Sequence, residues 1–266
     1  MNLSGSRILI TGASGGIGRA LCLLLAQKGA RLLLADRACE AADQLLADVR
    51  AQGCQADLFH ADLLQPDTPE QLAGQALQAA GGVDVLINLA GIMSFTLFQN
   101  ETTDSIERLW RVNVIAPMRL TRALLPQMLA RNSGRIVNVG SVFGSIGFAC
   151  FANYSANKFG IRGFSQALRR ELDGSGVGVT YVAPRYTKTP INAGAVSQMA
   201  TELKMNMDEP ELVAANIVRA IEQDKKEHYI GFPECLFVRI NAVLPGLVDG
   251  ATKQQNEQMK AFARNA

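Results

Sequence analysis

A chain of 266 residues that is 48% hydrophobic and 19% charged has room for one large domain with a sizeable buried core. Its formal net charge is only +2 and its positive residues are scattered, which excludes the concentrated basic footprint of a nucleic-acid-binding surface. The five cysteines form no Cys-x-x-Cys pair and the two histidines, His60 and His228, lie far apart, so neither a disulfide framework nor a metal centre is expected and a reducing compartment is.

The chain opens on Met-Asn-Leu-Ser-Gly-Ser-Arg, without the basic-then-apolar pattern of a signal peptide, and holds no uninterrupted apolar run long enough to span a bilayer. A cytoplasmic protein without a transmembrane segment is the expectation.

The first strand-like run is Arg7–Thr11. It leads into Thr11-Gly12-Ala13-Ser14-Gly15-Gly16-Ile17-Gly18, and a helical pattern follows over Ile17–Lys28. A lone glycine motif is a weak signal, but here it joins a strand to a helix. Gly12 permits the tight turn, Gly16 lets backbone approach a pyrophosphate and Gly18 allows close helix–strand packing. The free N–H groups at the helix start then face anionic phosphates, so Thr11, Gly12, Ser14, Gly16, Ile17 and Gly18 are assigned to cofactor binding.

The second strand, Arg31–Ala35, ends at Asp36, about twenty residues beyond the glycines, where a carboxylate can accept hydrogen bonds from an adenosine ribose. Such an acid favours NAD(H), because it repels a 2′-phosphate; Arg37 beside it keeps NADP(H) as the alternative. After the third strand, Gln55–His60, Asp62 is placed at the adenine edge with Leu63 beside it. A methyltransferase binding an adenosyl cofactor would show the same first half, so these residues establish nucleotide binding and not chemistry.

Further along, a helical pattern over Pro69–Ala80 precedes the strand Val83–Asn88, which ends in Asn88-Leu89-Ala90-Gly91. A long helical stretch, Thr103–Leu129, contains Asn113. The strand Arg135–Val139 is followed by Ser141, and the helix Ala152–Leu172 carries Tyr154 and Lys158 four residues apart on one face. The last strands are Val177–Val182, followed by Pro184-Arg185-Tyr186-Thr187-Lys188-Thr189, and an edge strand at His228–Gly231. Strand–helix alternation of this kind implies right-handed βαβ units and a parallel sheet covered on both faces. One α/β domain over 1–266 is expected, with 186–210 as a lid on the substrate cleft and 233–262 as a C-terminal helical tail.

At Thr11–Gly18, Asn88–Gly91, Ser141 and Tyr154–Lys158 the chain resembles the short-chain dehydrogenase/reductase family, in its single-domain branch of about 250 residues. Each member of that ordered set alone has a bland explanation: a turn serine, a helix-bending asparagine, an exposed Tyr/Lys pair. The resemblance implies a doubly wound, Rossmann-type α/β/α fold with a seven-stranded parallel sheet. It implies an alcohol/ketone oxidoreductase in which Tyr154 is the general acid/base, Asn88, Ala90, Gly91, Pro184 and Thr187 complete the cofactor site, and Thr189 bonds the nicotinamide carboxamide. Lys158, with the positive ring of the oxidised nicotinamide, lowers the tyrosine pKa and binds the nicotinamide ribose, Ser141 holds the substrate oxygen, and Asn113 organises a water relay. A homodimer or homotetramer also follows from the resemblance.

Two positions depart from the family pattern. Leu89 stands where many members have Asn, and Arg185 stands where the family has Gly after Pro184. Arg185 is expected either to point outward or to reach the cleft mouth and pair with an acidic group on substrate or cofactor. The uncharged segments Ile92–Phe98 and Val142–Asn153, with the apolar stripe Leu236, Ile240, Val243, Leu244, Leu247 and Val248, suit a lipophilic substrate, though core or interface would explain them too. A catalytically silent nucleotide-binding protein on the same fold is the competing reading, and an isomerase or dehydratase that uses nicotinamide transiently is a third.

Overall fold

A computed structural model of the chain describes residues 1–264. The first half alternates strictly: β1 (Arg7–Thr11), α1 (Gly16–Gln27), β2 (Arg31–Asp36), α2 (Glu40–Ala51), β3 (Ala56–His60), α3 (Thr68–Ala80) and β4 (Val85–Asn88). Then come α4 (Thr103–Trp110), a π turn (Arg111–Ile115), α5 (Ala116–Ala130), β5 (Gly134–Val139), α6 (Ala152–Glu171) and β6 (Val177–Ala183). The chain closes with α7 (Ala195–Glu202), α8 (Pro210–Glu222), β7 (Glu227–Tyr229), α9 (Glu234–Val243) and α10 (Pro245–Arg264).

All seven strands are parallel, in the order β3-β2-β1-β4-β5-β6-β7. The order reverses direction beside β1, between β1 and β4, so the carboxyl ends of those strands open a crevice there. Alternate side chains of the same strand feed opposite layers. Ile8, Ile10, Leu32 and Leu34 pack under α1, α2 and α8, whereas Leu9 and Leu33 pack under α3, α5 and α6. Burial on both faces is why these strands read as continuous apolar runs.

The long stretch Thr103–Leu129 is not one regular helix, because the π turn divides it. Pro117 lacks the N–H that would bond to the Asn113 carbonyl four residues back, and the backbone widens at that point. The fourth strand starts at Val85 rather than Val83, since Gln127 takes both the Val83 N–H and its carbonyl. The edge strand is Glu227–Tyr229, two residues short of the expected end, and Gly231 turns away with φ of 98°. Among the described residues, no helix is long and apolar enough to cross a membrane.

Candidate active site

The turn after β1 is a bare backbone cradle. Gly12 has φ of 69°, and a Cβ there would lie 2.8 Å from Ala90 Cα. A Cβ at Gly18 would lie 2.1 Å from the Gly12 carbonyl oxygen, and one at Gly16 would lie 2.6 Å from Thr189 Cγ2. Side chains are thus excluded where α1 begins, and the Gly15 cap has no side chain to satisfy the first N–H groups. Those donors are left for a pyrophosphate, so the residues present fit a dinucleotide. Thr11 Oγ1 ties the cradle to the end of β4, accepting from the Leu89 and Ala90 N–H groups at 3.2 Å each.

Asp36 is held in place by its own neighbours. Its Oδ2 accepts from the Ser14 N–H at 2.8 Å and the Ser14 hydroxyl at 2.7 Å, and its Oδ1 from the Arg37 N–H at 2.8 Å. Asp62 accepts from the Leu64 N–H at 3.0 Å, and Leu63 packs with Val112 and Ala116. A cleft of about 990 Å³ runs from this corner to the C-terminal helices, a size suited to a cofactor with a substrate beside it. Every site residue named from the sequence lines it except Asn88 and Asn113.

Asn88 is turned into the interior. It donates to Asn138 Oδ1 at 2.8 Å and lies 3.4 Å from Thr121 Oγ1, bracing β4 against β5 and α5. Asn113 acts from behind the cleft wall: its Oδ1 accepts from the Ile92 N–H at 2.9 Å and its Nδ2 donates to the Ile92 carbonyl at 2.8 Å. A Cβ at Gly91 would lie 3.3 Å from Asn113 Oδ1 and 3.7 Å from Lys158 Nζ. The absence of a side chain at Gly91 leaves both groups close to the turn.

Ser141, Tyr154 and Lys158 converge where β5 ends. Lys158 is buried; its Nζ donates to the Val139 carbonyl at 3.2 Å and sits 5.5 Å from the centroid of the Tyr154 ring. Burial brings the Lys158 ammonium down to about 8. Burial pushes the Tyr154 phenol up to about 12, against the opposing hydrogen bond with Ser141. The lowered tyrosine pKa expected from the sequence is therefore not a property of the protein alone. Desolvation of the phenolate outweighs the Ser141 hydrogen bond, and the same burial penalises the charge of the lysine.

Sequence reasoning missed the residue that holds Ser141. The Tyr181 hydroxyl on β6 donates to the Ser141 carbonyl at 3.0 Å and is 3.3 Å from its N–H. Tyr181 is fully buried, and a Cβ on Gly140 would lie 2.2 Å from its ring. The signal was a tyrosine in an otherwise aliphatic strand facing a strand-end glycine.

The far half of the cleft is apolar. Phe143 stacks near Phe148 and Phe151 with centroids 4.8 and 4.9 Å apart, and its ring lies 5.9 Å from that of Tyr154. Across from them the 186–210 segment supplies Val196, Met199, Leu203 and Met205. Arg185 does neither of the things expected of it. It neither points outward nor is free for an outside acid, because Asp208 and Glu234 of this chain already pair with it.

A glycine cradle at the sheet's reversal point, with a half-buried tyrosine and a buried lysine beside it, is the site of a nicotinamide-dependent oxidoreductase. The short chain dehydrogenase family model matches residues 6–200, and the chain belongs to that family. Ketoacyl reductase HetN of Nostoc is 34% identical over 232 residues, spanning 85% of this chain and 78% of that one. Among solved structures, a short chain dehydrogenase/reductase from Burkholderia phymatum in complex with NAD superimposes with a TM-score of 0.85 at 24% identity, over 93% of this chain and 96% of that one. A protein from Beutenbergia cavernae described as an NAD(P)-dependent gluconate 5-dehydrogenase, with NADP bound at low occupancy, gives 0.78 at 30% identity, over 86% and 95%.

Proposed function

We propose that the chain interconverts a secondary alcohol and a ketone, with Tyr154 as general acid/base. The observation that carries this reading is the meeting of Ser141, Tyr154 and Lys158 on the cleft wall beyond the glycine cradle. Nicotinamide, when bound, supplies or accepts the hydride and leaves one proton to be handled at the substrate oxygen. Ser141 holds that oxygen. Tyr154, protonated throughout the neutral range, gives it a proton during reduction. Lys158 supports the phenolate left behind and returns its proton, and Asn113, joined to the Gly91–Ile92 turn, orders the route by which solvent refills the lysine.

NAD(H) is the preferred cofactor in this reading. The Asp36 carboxylate is fixed by three donors and faces the cleft, where a 2′-phosphate would meet its charge; Arg37 contributes only its backbone N–H to that arrangement. The substrate is lipophilic, as the phenylalanine wall and the facing methionines support, and a relative named a ketoacyl reductase fits a ketone on an apolar chain. Exposed Ile115, Met118 and Phe159 on the faces of the π turn, α5 and α6 support a homodimer or homotetramer, which light scattering would test.

The test is a series of ketones of increasing chain length with NADH and with NADPH, followed by nicotinamide absorbance. The expected outcome is a higher kcat/KM with NADH that climbs roughly fourfold per buried methylene, from about 0.8 kcal/mol each. No turnover with either cofactor would leave the catalytically silent reading standing. Turnover indifferent to chain length would remove the lipophilic substrate.

A further inference from the structure

Arg185 occupies the place where the family has a glycine, and the fold has made room for it elsewhere. A Cβ at Gly231 would lie 2.6 Å from Arg185 Cδ and 2.7 Å from its Nε, so a side chain at 231 would push the guanidinium out of this position. The guanidinium is then nearly saturated. Nε and Nη2 donate to the two oxygens of Asp208 at 3.0 and 2.8 Å; Nη1 donates to Glu234 Oε2 at 2.9 Å and to the Phe232 carbonyl at 3.2 Å. Four of its five N–H groups are thereby used.

These partners belong to two walls of the cleft. Asp208, 5% exposed, closes the stem of the 186–210 segment: its N–H bonds to the Tyr186 carbonyl at 2.9 Å, and its carbonyl accepts from Lys188 at 3.0 Å. Glu234 lies in the first turn of α9, whose Phe237 lines the cleft, and it also accepts from Asn206 of the segment at 3.3 Å. Without the guanidinium, the buried Asp208 carboxylate would lose its ion pair and Glu234 would keep only the Asn206 amide.

We propose that Arg185 is a positioning residue for the substrate half of the cleft, clasping the stem of the lid to the start of α9. The clasp keeps Val196, Met199, Leu203 and Met205 on one side at a fixed distance from Phe237 on the other. It rests on the reading of this half as the lipophilic substrate site. The pyrophosphate turn after β1 and Asp36 at the end of β2 lie at the other end of the cleft, outside the clasp.

The test compares wild type with Arg185→Gly, the family's own residue, and with Arg185→Lys, which keeps the charge but not the two-pronged geometry. Hydrogen exchange on the full chain should accelerate in α7 and in α9 while β1 and α1 stay unchanged, with the lysine variant intermediate. NADH affinity, read by fluorescence, should stay within about twofold, while kcat/KM for a long ketone falls roughly 10–100-fold, mainly through KM. Exchange that is unchanged, or accelerated evenly over sheet and α1, would overturn the clasp and leave a role in global stability only. If wild type reduces no ketone, the substrate reading falls, and the exchange pattern still decides whether the clasp exists.

Discussion

The two edges of the sheet treat charge in opposite ways. At the amino ends of the strands, charge is neutralised on the spot. Asp84 takes Arg7 Nε at 2.8 Å, Arg7 Nη2 at 2.7 Å and Arg131 Nη1 at 2.8 Å, Arg31 pairs with Asp57, and the buried Arg135 pairs with Asp224. At the carboxyl ends, beyond the Arg185 clasp that follows β6, Tyr154 and Lys158 sit where burial opposes the charged form of each, and among the described residues no acidic side chain pairs with Lys158. One edge holds the fold together; the other keeps two protonation states within reach of each other, as proton transfer requires.

The sharpest way to test that division is Tyr154→Phe. The substitution removes one hydroxyl from the costly edge, so stability should hardly change and cofactor binding should persist. Turnover should fall by about 10²–10⁴-fold, the usual worth of general acid/base catalysis. Steady-state kinetics beside thermal melting separates the two quantities, and near-normal turnover would break the assignment of chemistry to this edge.

A gentler probe is pH. Burial leaves Tyr154 protonated far into the alkaline range, so loss of its proton does not limit ketone reduction. Lys158, brought down to about 8, loses its charge first. The kcat/KM for reduction should be level at neutral pH and fall roughly tenfold per pH unit above about 8. A profile that stays level well into the alkaline range would mean that Lys158 carries no charge that the reaction uses.

The contrast between the edges also explains what could be read from the sequence. The carboxyl edge is made of short local motifs, a glycine turn, a strand-end serine, a tyrosine and lysine one helical turn apart, and each keeps its spacing whatever the rest of the chain does. The π turn was not read, because helical periodicity hides a single widened turn, and a proline such as Pro126 also sits in α5 without one. Helices α2 and α8 went unnamed. In α2 the buried stripe is only Ala42, Leu45 and Val49 among polar residues. The Arg185 clasp was out of reach for another reason: its partners lie 23 and 49 residues away, and only the packing of α8 and α9 brings them back. The ion pairs of the amino edge are likewise tertiary, with Arg7 and Asp84 separated by 77 positions.

That amino edge supplies the smallest expected effect. Burial alone would raise the Asp84 pKa, but hydrogen bonds from Arg7 and Arg131 outweigh it and hold the carboxyl at about 2. A carboxyl whose folded pKa lies below its unfolded value binds fewer protons when folded, so its contribution is complete above the ordinary aspartate range, about pH 4. It drains away as pH falls through the folded value of about 2. Asp84→Asn keeps the shape and removes the charge, and should cost about 1–2 kcal/mol at neutral pH. Its acid unfolding curve should also lose the part of the slope between those two values, while kcat/KM stays at the wild-type level. Denaturant titrations at neutral and acidic pH measure both terms. A variant that melted normally but turned over slowly would show that the two edges are not independent, and the division of labour between them would have to be given up.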